Sequence, residues 1–240
     1  MEGPALLQPL LLATLAGFAI PLGGLLALIQ PFHNSWIGSE FRHSIMAFGA
    51  GILMAAVALV LVPRGMEALP LALVISTFVG GGLIFLLIDR WLAGKGGSTS
   101  QLMALLLDFV PEAMALGALF TDQHETAVLL SLLITFQNLP EAFNAYCEIR
   151  ATSKLRSWKL IGIFLLIALL GPLSALLGMQ LLAEAEAWLG GIMLMASGGI
   201  LYLIFQDISP QVPLAKHWAP PLGAVGGFLV GIIGHMVVQG

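Results

Sequence analysis

Charge is scarce in this chain. Only 9% of its residues are Asp, Glu, Lys or Arg, against about 25% in soluble domains. A water-soluble fold of 240 residues cannot hide a composition that is 59% hydrophobic. That excludes a soluble enzyme or carrier and leaves an all-α polytopic membrane protein. Cysteine is almost missing. Cys147 stands alone, which rules out an intrachain disulfide and a thiolate metal cluster. The N-terminus, Met1-Glu2-Gly3-Pro4, carries no positive stretch ahead of the first apolar run. That run therefore reads as a retained helix rather than a cleaved signal. Long polar stretches are absent too, so no soluble domain is expected. The lipid bilayer is the expected partner, and nucleic acid is not.

What is present is a single transmembrane domain over residues 1–240. Its eight apolar segments lie near 5–30, 44–63, 70–93, 100–121, 126–147, 159–182, 187–208 and 219–238. Each can cross roughly 30 Å of hydrocarbon at about 1.5 Å per residue. Gly94-Lys95-Gly96-Gly97-Ser98-Thr99-Ser100 is the most linker-like stretch, and Ser98 or Thr99 could cap the fourth segment.

The basic residues orient the chain. Arg42, Arg90, Lys95, Arg150, Lys154, Arg156, Lys159 and Lys216 fall on one side, and Arg64 alone on the other. The expectation is a multi-pass protein of the plasma (inner) membrane with both termini outside. Asp122, Glu125, Glu184 and Glu186 then face outward. They either solvate helix ends or draw cations to an entrance. Gly223, Gly227 and Gly231 recur every four residues on the last segment. Such spacing lets backbones approach closely. Packing within the chain is the default use of that stripe, and the face of a homodimer is the alternative.

Two stretches carry the chemistry: Asp108-Phe109-Val110-Pro111-Glu112 and Gln137-Asn138-Leu139-Pro140-Glu141. Polar groups inside a bilayer are costly and mark functional sites by default. Pro111 and Pro140 cannot donate a backbone hydrogen bond, so they should loosen the carbonyls of Leu107 and Phe136. Asp108 and Glu112 are four residues apart and share a helix face, as do Gln137 and Glu141. Counted from a hairpin tip near Gln123 and His124, Asp108 lies roughly level with Gln137 and Glu141, and Glu112 about one turn nearer the outside. The hairpin can therefore gather three carboxylates (Asp108, Glu112, Glu141) and two amides (Gln137, Asn138) near mid-membrane. Carboxylates crowded there either take up protons or hold a cation. An all-oxygen set suits hard ions such as Mg, Ca or Mn better than Zn. A purely structural set of protonated acids bonding neighbouring helices is the bland alternative.

These motifs, in their order along eight segments, resemble the ZIP metal-ion transporters of the zinc/iron permease superfamily. The family's fourth and fifth helices carry His-Asn-x-Pro-Glu or a related motif. Similar, too, are Ala16-Gly17-Phe18-Ala19-Ile20-Pro21-Leu22-Gly23-Gly24 in the first segment and Ala47-Phe48-Gly49-Ala50-Gly51-Ile52-Leu53-Met54, with Leu61-Val62-Pro63, in the second. The stretch from Gly199 to Pro210 resembles the family's seventh helix. The resemblance implies eight helices with both termini outside and a mid-membrane metal site, often binuclear. Its ligands would be Asp108, Glu112, Gln137, Asn138 and Glu141. It implies a divalent ion (Zn, Mn, Fe or Cd) as transported substrate.

The chain departs from the pattern at several places. Asp108 stands where the family usually has histidine, Phe109 where it has asparagine, and Gly171-Pro172 where many members have Glu-Pro. Gln206 stands for the histidine of the seventh helix and leaves Asp207. The departures weaken a binuclear site to a single one or none. By resemblance, Asp89, Gln206 and Asp207 form an inner gate or exit, and Arg90 could pair with Asp89 or Asp207. His33 and His43, flanking the first inner loop, could receive a departing ion, and Met54 could line the path. No serine, cysteine or histidine nucleophile pairing appears in the core, so an enzyme is not expected. The expected function is divalent-cation transport. The rivals are a metal-binding or regulatory membrane protein without transport and a proton-linked permease for a non-metal solute.

Overall fold

The computed structural model describes residues 3–29, 36–93, 98–212 and 218–239, and among them there are helices and no strands. The helices are α1 (Gly3–Ile29), α2 (Trp36–Ala56), α3 (Val62–Ala68), α4 (Leu71–Ala93), α5 (Ser98–Leu119), α6 (His124–Thr152), α7 (Ser157–Leu181), α8 (Glu186–Leu203) and α9 (Pro220–Gln239). Joined through a π-helical turn (Val57–Leu61), α2 and α3 make one span. A second π-helical turn (Ile204–Ile208) and a 3-10 turn (Ser209–Gln211) extend α8. Eight spans long and apolar enough to cross a membrane result.

Proline accounts for both π-helical turns. Pro63 and Pro210 each stand two residues beyond one. Each lacks the N–H that would close a regular turn, and its ring crowds the preceding carbonyl. A wider turn relieves that clash. By contrast, α5 and α6 run unbroken through Pro111 and Pro140.

The centre belongs to α6. It packs against α1, α2, α5 and α9, and 67% of its apolar window is buried. At the periphery are α4 and α9, each 11% buried. The first leans on α8 and the second on α2, and their outer faces (Leu71, Val79, Leu87; Leu222, Val225, Met236) are exposed. Such faces suit lipid.

Small residues set how near the helices come. A Cβ at Gly223 would lie 2.3 Å from the carbonyl oxygen of Ser44, and one at Gly227 2.0 Å from that of Phe48. One at Gly231 would meet the Ala55 methyl at 2.3 Å. The four-residue glycine stripe is therefore spent inside the chain, on α2, and not on a second copy.

Two predicted boundaries were short. The second segment, placed at 44–63, begins at Trp36, and the fifth, placed at 126–147, runs to Thr152. Polar residues ended both runs in the sequence, yet the backbone stays helical where side chains bridge neighbouring helices. At 29 residues, α6 is about 43 Å long and projects beyond the hydrocarbon. The expected hairpin tip is present: α5 ends at Leu119, α6 starts at His124, and the Phe120 and His124 rings meet edge to face at 4.4 Å. His33, Lys95, Lys216 and the Gly94–Gly97 stretch lie outside the described residues, as do the side chains of Ser98 and Thr99.

Candidate functional site

On α5, Asp108 and Glu112 are 4% and 0% exposed; on α6, Gln137 and Asn138 are both 0% exposed. Glu141 is half-buried on the same helix. The helices meet through the Gln137 side chain, whose Nε2 donates to Glu112 Oε2 at 2.5 Å. Asn138 Nδ2 donates to the Ala16 carbonyl at 2.9 Å and so ties α6 to α1. The three carboxylates are near enough for Glu112 to feel the charge of Asp108, and for Glu141 to feel both.

Each of these five side chains keeps one oxygen with no hydrogen-bond partner. They are Asp108 Oδ1, Glu112 Oε1, Gln137 Oε1, Asn138 Oδ1 and Glu141 Oε1. A buried acceptor left unpaired costs about 1–3 kcal/mol. Five on two adjacent helices is a large cost with no packing return, and it is offset if a ligand with positive charge or donors takes them up. Among the described residues, no group of three or more His, Cys, Asp and Glu side chains stands ready as a metal cage. An ion held here would therefore draw on amide as well as carboxylate oxygens, or on a closer approach of α5 to α6.

One cavity of about 80 Å³ reaches part of this set. Asp108 and Glu141 line it, together with Pro140, Asn144, Glu148, Asp207 and Gln211. Glu112, Gln137 and Asn138 do not. The site thus has an open half, Asp108 with Glu141, and a sealed half around the Glu112–Gln137 hydrogen bond. Against Gly49 of α2 lies the Pro140 ring, which a Cβ there would approach to 3.0 Å. A second cavity, about 280 Å³, opens at the opposite end and is lined by Arg64, Glu67, Asp122, Gln123 and Glu186.

Phe109 and Gly171 explain one another. Phe109 is fully buried, and its Cζ would stand 2.7 Å from a Cβ on Gly171, with the Ala13 carbonyl at 2.8 Å on another side. The ring fills the space that a side chain at position 171 would need. Only the Asp108–Glu141 side of the site is left open.

The inner-gate residues separate. Asp207 lines the cavity, whereas Gln206 is exposed and lies outside it. Asp89 does not pair with Arg90: it accepts a hydrogen bond from Tyr202 Oη at 2.9 Å. Among the described residues Arg90 forms no ion pair with Asp89 or Asp207. His43, expected beside the first inner loop, is on α2, with Nδ1 bonded to the Gln211 backbone carbonyl. Met54 packs against the core and is not a cavity residue, while Met46 does line the cavity.

Sequence reasoning missed Gln101, Asn144 and Glu148 at the cavity mouth. A signal was there: Glu148 lies seven residues after Glu141, on the same face of α6. Ending the segment at 147 hid it.

The tie from Asn138 to α1 gives a first prediction. Asn138→Leu should lower the unfolding midpoint, with a cost of about 1–3 kcal/mol, because Ala16 loses its side-chain donor. Thermal unfolding in detergent checks this, and an unchanged midpoint would mean the bond holds nothing together.

No family model and no curated relative matches the chain.

Proposed function

We propose that this protein carries divalent metal cations across a membrane, zinc or a harder ion such as Mn or Fe, through a mid-membrane site on α5 and α6. The observation that carries the reading is the set of five unpartnered oxygens, on Asp108, Glu112, Gln137, Asn138 and Glu141, with a cavity lined by two of those side chains, Asp108 and Glu141. Oxygen donors suit hard cations. Asp108, Glu112 and Glu141 neutralise the ion's charge, while Gln137 and Asn138 replace part of its water shell. The resemblance to ZIP transporters in motif order supports the same reading.

The cavity leads to the end of the molecule where Arg42 and Arg150 lie. By the distribution of basic residues that end is cytoplasmic, so the chain stands inward-open, with both termini outside. At the other end the Asp122, Glu67 and Glu186 carboxylates around the larger cavity attract cations. Transport then requires that the two cavities open alternately to the one site. We take its membrane to be the plasma or inner membrane.

One observation favours a second reading, a proton-linked permease. Glu112 is fully buried, bonded to Gln137 and cut off from the cavity, a setting that also suits a proton carrier. Proteoliposomes separate the two. Uptake of Mn, Fe, Zn or Cd, saturable and lost on Glu112→Ala, is the expected result. Uptake of every metal unchanged in Glu112→Ala and Glu141→Ala ends the metal-site reading. Solute uptake driven by a pH gradient without metal supports the permease, and binding without flux supports a regulatory protein.

A further inference from the structure

Two groups of helices line the larger cavity, at the end proposed above as outer. Arg64 and Glu67 of α3 and Glu186 of α8 belong to the first; Leu119, Asp122 and Gln123 of the α5–α6 hairpin belong to the second. α3 is fixed to α8: a Cβ on Gly65 would come 2.4 Å from Leu194 Cγ, and one on Gly190 2.7 Å from the Ala68 methyl. Arg64 reaches from the first group to the second. Its Nη2 donates to Thr126 Oγ1 of α6 at 2.9 Å, and its Nη1 to Glu67 Oε2 at 2.9 Å. Thr126 is 3% exposed, whereas the Arg64 and Glu67 side chains are 28% and 64% exposed. An arginine near the end of a membrane helix ordinarily extends its head into water. This one, the single basic residue expected on its side, turns instead to a buried neutral hydroxyl on another helix. The cavity stops short of the central site, since none of the five oxygen-bearing side chains lines it. Ala115, one turn closer to Glu112 than Ala118 and Leu119 and on the same face of α5, is 1% exposed.

We infer that Arg64 is a latch: its bond to Thr126 holds the α5–α6 hairpin to α3 and α8 and keeps the outer way to the central site shut. It rests on the proposed function in one respect, that this way is the outer approach to that site. Release strands no charge. The Nη1 arm stays with Glu67, the Glu186 and Asp122 carboxylates line the same cavity, and the freed Nη2 enters water there. Only the Thr126 arm is lost, and a hydrogen bond from a charged donor shifts a two-state equilibrium by about tenfold. That is enough to hold one state and small enough to be reversed within a transport cycle. Arg64 is thus a positioning residue, acting on the site through the hairpin that carries it.

The test is thiol modification of the full chain in nanodiscs, where both faces are open to the reagent. In a Cys147→Ser background, which removes the one native thiol, a single cysteine is introduced by Ala115→Cys or, as the inner reporter, by Ala104→Cys in the smaller cavity. The reagent is methyl methanethiosulfonate, uncharged, so that loss of the Arg64 charge does not alter its local concentration. Arg64→Met and Thr126→Val should each raise the modification rate at Ala115→Cys by about tenfold without raising that at Ala104→Cys. Thr126→Ser, which keeps the hydroxyl, should stay within about threefold of the parent. An unchanged Ala115→Cys rate in both variants overturns the latch. So does a rise at both reporters, which marks general loosening of the fold. Thr126→Val preserves shape and decides the matter if Arg64→Met elutes as aggregate. The readout needs no metal: if the rates shift as expected while the parent chain takes up no metal, the transport reading fails and the latch stands. Unchanged rates with metal uptake intact remove the latch alone.

Discussion

Glu141→Gln should abolish metal uptake while leaving the protein folded. The substitution keeps shape and hydrogen-bonding capacity but removes one negative charge. Glu141 is the carboxylate best placed to matter. It lines the cavity, carries an unpartnered oxygen, and stands in the field of both Asp108 and Glu112. Losing a partly buried charge that faces a cation costs about 3 kcal/mol, close to a hundredfold in affinity. Uptake in proteoliposomes at ion concentrations near the parent's half-saturation should then fall to background. Gln206→Ala is the matched control, because Gln206 is exposed and outside the cavity, and it should transport normally. Glu141→Gln transport within about threefold of the parent chain would remove the case for this site.

The second large effect concerns the frame that holds α5 in place. Gly117 of α5 faces the Ala175 carbonyl of α7, and Gly178 of α7 faces the Met114 carbonyl of α5. A Cβ would come to 2.0 and 1.9 Å from those oxygens. Backbone cannot step aside as a side chain can, so Gly117→Val or Gly178→Val must push the two helices apart. A cost of about 3 kcal/mol or more is expected, enough to unfold a marginally stable chain. Both variants should aggregate or lose their monodisperse elution profile in detergent. Gly162→Ala is the contrast: nothing lies within 4 Å of a Cβ there, and the change should be neutral or slightly stabilising. A Gly178→Val chain with the parent's unfolding midpoint would show that α5 and α7 are not held by this contact. Because α5 carries Asp108 and Glu112, loosening it also disturbs the site.

How far residues alone lead can be seen at α6. The Pro140 motif, the level of Gln137 with α5 and the hairpin tip at His124 are all legible from spacing, because a helix fixes 1.5 Å and 100° per residue. The end of α6 is not. Glu148 and Arg150 read as the start of a polar loop, yet the helix continues there. Glu148 is bonded by Asn144 one turn back on α6 and by Gln101 of α5, and lies beside Arg42 of α2, two partners on other helices. Similarly, Phe109 and Gly171 each look like a lost ligand in the sequence. Only the tertiary structure brings them together across α5 and α7, with the Phe109 ring standing where a side chain at 171 would lie.

The membrane class, the eight spans, the sidedness expected from nine basic residues and the five oxygen-bearing side chains near mid-membrane all follow from local composition and helical periodicity. Those are properties of one segment at a time, and the bilayer imposes them on each segment separately. Which oxygens stay unpaired, which side chains line a cavity, that Asp89 binds Tyr202 rather than Arg90, and that Arg42 lies beside Glu148 depend on which helices become neighbours. Neighbours are chosen by close backbone contact at residues such as Gly117, Gly178 and Gly227, where a single missing Cβ sets the distance between two helices. Pairings of that kind join residues far apart along the chain, as Gly227 with Phe48, and no periodicity along the chain encodes them.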